Sequence, residues 1–307
     1  MQPSSAAYVD LEQLSALREQ ARGLPLHARQ VAASVLSGRH ETRLRGRGLS
    51  FEELRPYWPG DDARLIDWKV TARLRRPFLR LYSEERDQQV LLLVDQRMNQ
   101  FFGSRRTTKS VLAAEAAALF GWAALQRHDR VGALLFNDET VEELRPARGN
   151  RAFMHLLGRL CDLNQQLHAR HHGDNPQALN AMLERTRRLA GKDHLLILIS
   201  DFNGLNDETH DLLAALRRHN DLLLCWTQDP LLIELPSGGE LLASDGDLQM
   251  RLNLDSSRQR ETLQRLHRQR QQQILDWPAG LRIPVLPLSA AEPAADQLRA
   301  LLGGEHG

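Results

Sequence analysis

Apolar positions along the chain follow two rhythms. Near the start, Leu11, Leu14, Leu17 and Ala21 recur at helical spacing, with acids early and Arg18 and Arg22 later, which predicts a helical segment within residues 8–36. From Val90 the pattern becomes short, unbroken apolar runs separated by helix-length stretches. Val90–Val94, Val131–Phe136, Leu195–Ser200, Leu222–Thr227 and Arg282–Leu288 read as strands, with Val141–Leu144 as a hairpin or edge partner of the second. Residues 107–127, 151–166, 176–190, 207–219 and 293–302 read as helices, the first of them capped by Thr107 or Thr108. Continuous strands alternating with helices predict an α/β fold: a doubly wound, mainly parallel sheet covered on both faces.

Two stretches break this rhythm. Residues 37–88 are rich in arginine, glycine and proline and show little periodicity, so short strands and turns are expected there, including a strand at Phe78–Tyr82. Residues 229–254 hold Gly238–Gly239 and Asp245–Gly246, turn signals flanked by short apolar stretches, which predict a β-hairpin leaving the sheet. The segment after it, Ser256 to Asp276, reads as a charged helix with a sparse apolar stripe of Leu263, Leu266, Ile274 and Leu275. The expected organisation is a helical start (1–36), a β-rich segment (37–88) and an α/β domain (89–302) with its insertion at 229–254.

Composition narrows the function classes. With 307 residues, 42% hydrophobic and 26% charged, the chain can bury a sizeable core, and collagen-like, disordered and disulfide-framework readings fall away. A formal charge of +1 argues against a dedicated nucleic-acid binder, although Arg39 to Arg47 form a local basic cluster. Cys161 and Cys225 sit in apolar runs and read as buried small side chains. No basic start followed by an apolar stretch marks a secretory signal, and no run approaches the ~20 residues of a membrane helix. A cytoplasmic chain without membrane insertion is expected.

Two strands end in aspartate, Asp95 after VLLLV and Asp201 after LLILIS. Carboxylates at adjacent strand ends suit a hard divalent cation, and equally suit the caps of following helices. His168, His171 and His172 have metal-ligand spacing but no second cluster, which favours a polar loop. No phosphate loop, nucleophile elbow or HExxH motif is present.

At this point the residues resemble known families. Asp95-x-Arg97-x-Asn99 stands where von Willebrand factor type A domains carry Asp-x-Ser-x-Ser, the first part of their metal-ion-dependent adhesion site, and Asp201 matches that site's later aspartate. The family's threonine has only Gly173-Asp174-Asn175 as a counterpart. The upstream signature resembles the domain of unknown function family 58. It comprises Arg55-Pro56-Tyr57, then Gly60-Asp61-Asp62-Ala63-Arg64 through Asp67-Trp68, then Thr71-Ala72-Arg73. Gly38-x-His40, Gly46-x-Gly48, Asp129-Arg130-Val131-Gly132 and Asp229-Pro230 also fit, so the likeness runs from about residue 10 to 302.

The resemblance implies a von Willebrand factor A-like fold and a non-enzymatic adaptor working with a MoxR-type AAA+ ATPase on an unknown protein client. Arg97 brings a permanent cation where the adhesion site needs a neutral oxygen. Its guanidinium is therefore expected to fill the metal position, bridging Asp95 and Asp201, with Asn99 and Asp174 alongside, and no cofactor is required. The alternative leaves Arg97 in solvent and a weak Mg²⁺ on Asp95, Asn99 and Asp201. Arg55, Tyr57, Gly60, Asp61, Asp62, Arg64, Asp67, Trp68 and Arg73 form either a salt-bridged turn with Trp68 packed against the sheet or a loop offered to the partner. Other function classes are a metal-dependent hydrolase built on the aspartates and an arginine-rich nucleic-acid binder.

Overall fold

A computed structural model describes residues 7–26, 51–57, 66–82, 87–168, 175–233, 240–244, 249–253 and 257–303. The chain divides into two compact units, one of residues 1–40 and 88–307 and one of residues 41–87.

The larger unit is built on a six-stranded sheet. Its strands are β3 (Gln89–Asp95), β4 (Arg130–Phe136), β5 (Val141–Ala147), β6 (His194–Ser200), β7 (Asp221–Gln228) and β10 (Val285–Ser289), in the order β10-β7-β6-β3-β4-β5. All pairings are parallel except β4 with β5, which run antiparallel at one edge. The α/β, mainly parallel expectation is met, and the layout is consistent with a von Willebrand factor A-like fold. Because side chains alternate along a strand, β3 feeds two cores. Val90, Leu92 and Val94 face one, and Leu91 and Leu93 face the other. The first core is covered by α1 (Leu11–Gln20), α3 (Lys109–Gln126), α4 (Asn150–Gln165) and α9 (Ala294–Leu302). The second lies under α5 (Ala178–Leu189), α6 (Asp207–Arg217) and Ile274 of α8 (Ser257–Leu281).

Helix α3 is buried on nearly every side, as its all-round apolar sequence requires, because helices as well as the sheet enclose it. Thr108 caps it, its hydroxyl accepting from Val111 N at 3.3 Å. Gly121 lets α4 come close: a Cβ there would lie 2.1 Å from the Phe153 ring. Trp122 meets the same ring edge-on at 4.8 Å between centroids and donates its indole N–H to the Leu14 carbonyl of α1.

The expected N-terminal helix is seen over Leu11–Gln20, opened by an Asp10–Gln13 capping box, and residues 27–36 lie outside the described residues. The expected hairpin forms as β8 (Glu240–Ser244) antiparallel to β9 (Gln249–Asn253), its turn glycines falling outside the described residues. It follows a one-turn helix, α7 (Pro230–Ile233). Helix α8 runs past the expected Asp276, and Leu275 is 40% exposed, so its buried stripe is narrower than its leucines suggested.

The smaller unit pairs β1 (Phe51–Pro56) antiparallel with β2 (Phe78–Tyr82), with α2 (Trp68–Leu74) between them. The helix was not expected from the sequence.

Candidate functional site

Strands β4 and β6 lie on opposite sides of β3, so the connections leaving β3 and β4 part company at the carboxyl end of β3. That is where open α/β sheets form a crevice. Val94 pairs beside Ile199, which sets Asp95 next to Ser200 and Asp201.

Asp95 is fully buried and saturated. Its Oδ1 accepts from Arg97 N at 3.0 Å and Arg97 Nε at 3.0 Å. Its Oδ2 accepts from the Arg97 terminal nitrogen at 2.7 Å, from Ser200 Oγ at 2.6 Å and from Gln100 Nε2 at 3.4 Å. Arg97, 1% exposed, therefore grips Asp95 with both prongs of its fork. Its remaining terminal nitrogen donates to the carbonyls of Asn203 at 3.0 Å and Asn175 at 3.4 Å, and its guanidinium lies 5.4 Å from the Phe136 ring centroid. Burial pulls the guanidinium pKa down, but the carboxylates of Asp95, Asp201 and Asp138 more than compensate, and it stays above the ordinary arginine value. The side chain is a permanent cation.

Asp201 is served differently. Its Oδ1 accepts from Asn99 Nδ2 at 2.7 Å and Asn203 N at 2.9 Å, while its Oδ2 accepts from Lys109 Nζ at 2.6 Å. Arg97 was expected to bridge both aspartates. It hydrogen-bonds one, and Lys109 at the start of α3 holds the other. With its fork closed on Asp95 and its other terminal nitrogen turned to two carbonyls, the guanidinium has four of its five N–H groups engaged away from Asp201. Burial pushes the Asp201 carboxyl up, yet Lys109 and Arg97 outweigh it and leave the group below the usual carboxylate range. Neither aspartate caps a following α-helix: Thr108 and Asn206 do that for α3 and α6.

The rim is tightly specified. Phe202 takes φ +59°, a strained value for an aromatic residue, and its N–H donates to Ser200 Oγ at 2.9 Å. Gly204 has φ +85°, and a Cβ there would lie 2.1 Å from the Pro176 carbonyl oxygen. Asp138 accepts from Met98 N at 2.7 Å and Asn175 N at 3.1 Å, and burial holds its carboxyl above the usual range. Sequence reasoning missed Asp138, Gln100 and the role of Lys109. Lys109 did carry a signal, being one of three lysines and opening an apolar helix. Asp174 lies outside the described residues.

A divalent cation does not fit this arrangement. It needs several oxygen lone pairs, whereas each carboxylate oxygen here already accepts from at least one N–H, O–H or ammonium donor. Asn99 presents its amide nitrogen to Asp201, and two positive side chains already neutralise the two carboxylates. Among the described residues no cluster of three His, Cys, Asp or Glu side chains could hold a metal. Arg97 is not the solvent-facing residue that the weak Mg²⁺ alternative requires.

The signature residues belong to the smaller unit. Tyr57 N donates to the Pro77 carbonyl at 2.9 Å, Arg55 lies on β1, and Arg73 is exposed in the last turn of α2. Asp67 is the N-cap of α2, accepting from Lys69 N at 3.0 Å and Val70 N at 3.2 Å. Trp68, at the first position of a short helix, is 70% exposed, which overturns the reading that packs it against the sheet. Gly60, Asp61, Asp62 and Arg64 lie outside the described residues, as do His171 and His172, while His168 is exposed.

A family model described as Protein of unknown function DUF58 matches residues 53–273. The chain belongs to the DUF58 family. Two curated relatives of this DUF58 chain are Uncharacterized protein Rv1480 of Mycobacterium tuberculosis and Uncharacterized protein Mb1516 of Mycobacterium bovis. Each is 34% identical over 226 residues, which cover 74% of this chain and 69% of theirs. Among solved structures, the conserved hypothetical protein BatB from Bacteroides thetaiotaomicron aligns at 8% identity and a TM-score of 0.39, covering 71% of the DUF58 chain and 100% of its own. An aerotolerance-related membrane protein from Bacteroides fragilis aligns at 10% and 0.41, covering 71% and 98%. Likenesses this distant carry no argument about the site. Among the described residues of the DUF58 chain, no helix is long and apolar enough to cross a membrane.

Proposed function

We propose that this DUF58 protein is a non-enzymatic interaction module that works with a MoxR-type AAA+ ATPase on a protein client. The observation that carries the reading is the crevice itself. At the place where an open α/β sheet binds ligands, the two carboxylates are neutralised by Arg97 and Lys109 of the same chain, which withdraws both of them from service as a base, nucleophile or metal ligand. A site of that kind fixes the shape of a surface. Partnership with an ATPase rests on the family resemblance of the signature segment. The exposed Trp68, with Lys69 and Arg73 exposed on the same short helix, supplies aromatic and cationic chemistry of the kind that anchors protein interfaces.

The test is affinity capture on the full chain from native lysate, with and without ATP, and identification of the bound proteins by mass. Recovery of an AAA+ ATPase in one nucleotide state supports the reading. Failure to recover one in either state, or turnover of phosphoesters above buffer with added Mn²⁺, overturns it.

A further inference from the structure

At the opposite end of the sheet from the aspartates, a groove of about 550 Å³ lies between the last residues of β5 and the first turns of α4. Val131 of β4 sits beside Ala147, so the groove opens at the amino ends of the parallel strands. Its floor is apolar, made by Val131, Leu144 and Leu156. Its rim carries Arg145, Arg148, Arg151 and His155, all exposed, and no acidic side chain lines it.

The missing acids have been spent elsewhere. Glu142 pairs with Arg159 through two hydrogen bonds of 2.8 and 2.9 Å, and Glu143 pairs with Arg185. Among the described residues, Arg145 and Arg151 have no carboxylate partner. Strand β5 is also the edge of the sheet, and among the described residues no strand pairs with its outer side. A lone guanidinium on a surface is unremarkable in itself. Several around one apolar floor, with local carboxylates withdrawn, constitute a complementary surface for carboxylates attached to apolar side chains.

We propose that this groove docks an acidic segment of a partner protein, with leucine-like side chains on the floor and aspartate or glutamate on the arginine rim. A small anion on the arginine rim would leave the apolar floor exposed. An extended acidic segment satisfies both parts. The inference concerns a different face from the crevice and does not depend on the ATPase reading.

The experiment uses the full chain and fluorescence anisotropy with four labelled probes: a twelve-residue peptide alternating glutamate and leucine, its lysine–leucine counterpart, a twelve-residue polyglutamate and an oligothymidylate of twelve nucleotides. Vesicles containing phosphatidylserine are tested by co-sedimentation. The glutamate–leucine peptide is expected to bind saturably, more tightly than polyglutamate, with an affinity that falls as salt rises. The double variant Arg145→Glu, Arg151→Glu should weaken it by roughly tenfold or more, while Arg187→Glu, Arg188→Glu on α5, which covers the other face of the sheet, should leave it within about twofold. Both positions are exposed, and an unchanged melting curve confirms that the double variant is folded. Equal binding by the double variant overturns the proposal. So does preference for the lysine peptide, the oligonucleotide or the vesicles.

Discussion

Arg97 gives three of its hydrogen bonds to one carboxylate and its remaining nitrogen to two carbonyls, all inside the protein. Two charges taken this far from water are held by geometry, and removing one strands the other. Arg97→Met should therefore destabilise the fold by about 3–5 kcal/mol, read from urea unfolding. Asp95→Asn combined with Arg97→Gln should recover part of that loss, because no unpaired charge remains. Lys109→Met carries a pH signature. In the wild type Asp201 titrates below the unfolded carboxylate value of ~3.9, so its contribution is present above that pH and is lost as pH falls through its folded value. Without Lys109, burial dominates and the carboxyl moves upward. The folded state then binds the proton more tightly than the unfolded state and gains stability on acidification. The deficit of Lys109→Met against wild type should thus be largest near pH 7 and narrow toward pH 5. A constant gap would refute the pairing. Asp95 and Asp201 were legible because each ends an apolar run. Their partners were less so, since Lys109 lies 92 positions from Asp201 and nothing local marks the pairing.

Elements with continuous apolar runs were legible almost to their ends, because a buried parallel strand has no polar face to blur its boundary. Helix α2 was not. WKVTARL carries no apolar stripe, and its start signal, Asp67, is recognisable as a cap only once a helix is suspected. The close approach of α3 and α4 was equally silent, because a glycine inside a helix reads as weakness until the neighbour is known. Gly121→Val should displace the Phe153 ring and cost about 1–3 kcal/mol, seen as a lowered melting temperature, whereas Gly158→Ala on α4, whose added Cβ meets nothing within 4 Å, should be neutral or slightly stabilising. The same packing protects the thiols. Burial pushes Cys161 up to about 11 and Cys225 higher still, so neither should react with a disulfide reagent at pH 8 in the native protein, and both should react in urea. Fast labelling of Cys161 in the native state would show that α4 opens readily.

For the whole molecule, fold class followed from the alternation of strands and helices, while the expectation of a metal-free crevice followed from one residue type, arginine, at position 97. The same charges govern how the protein as a whole responds to divalent ions. A ligand that binds only the folded state stabilises it by RT ln(1 + [L]/Kd), so an ion held at ~10 μM would contribute about 2.7 kcal/mol at ~1 mM. In a chain of this size that corresponds to a rise of about 4 °C in melting temperature. Here an entering dication would have to displace Lys109 from Asp201 or Arg97 from Asp95 and leave that cation buried beside it. At ~4 Å, and an effective dielectric of 20, each such unit-charge repulsion is worth ~4 kcal/mol and a dication doubles it, on top of the hydrogen bonds the ion would have to break. Melting curves with 1 mM EDTA, Mg²⁺ or Mn²⁺ should therefore superimpose to within about 1 °C, and calorimetric titration of either ion should give no saturable heat. A melting rise of several degrees that is abolished in Asp201→Ala would mean that an ion can evict the lysine, and that the crevice is a metal site after all.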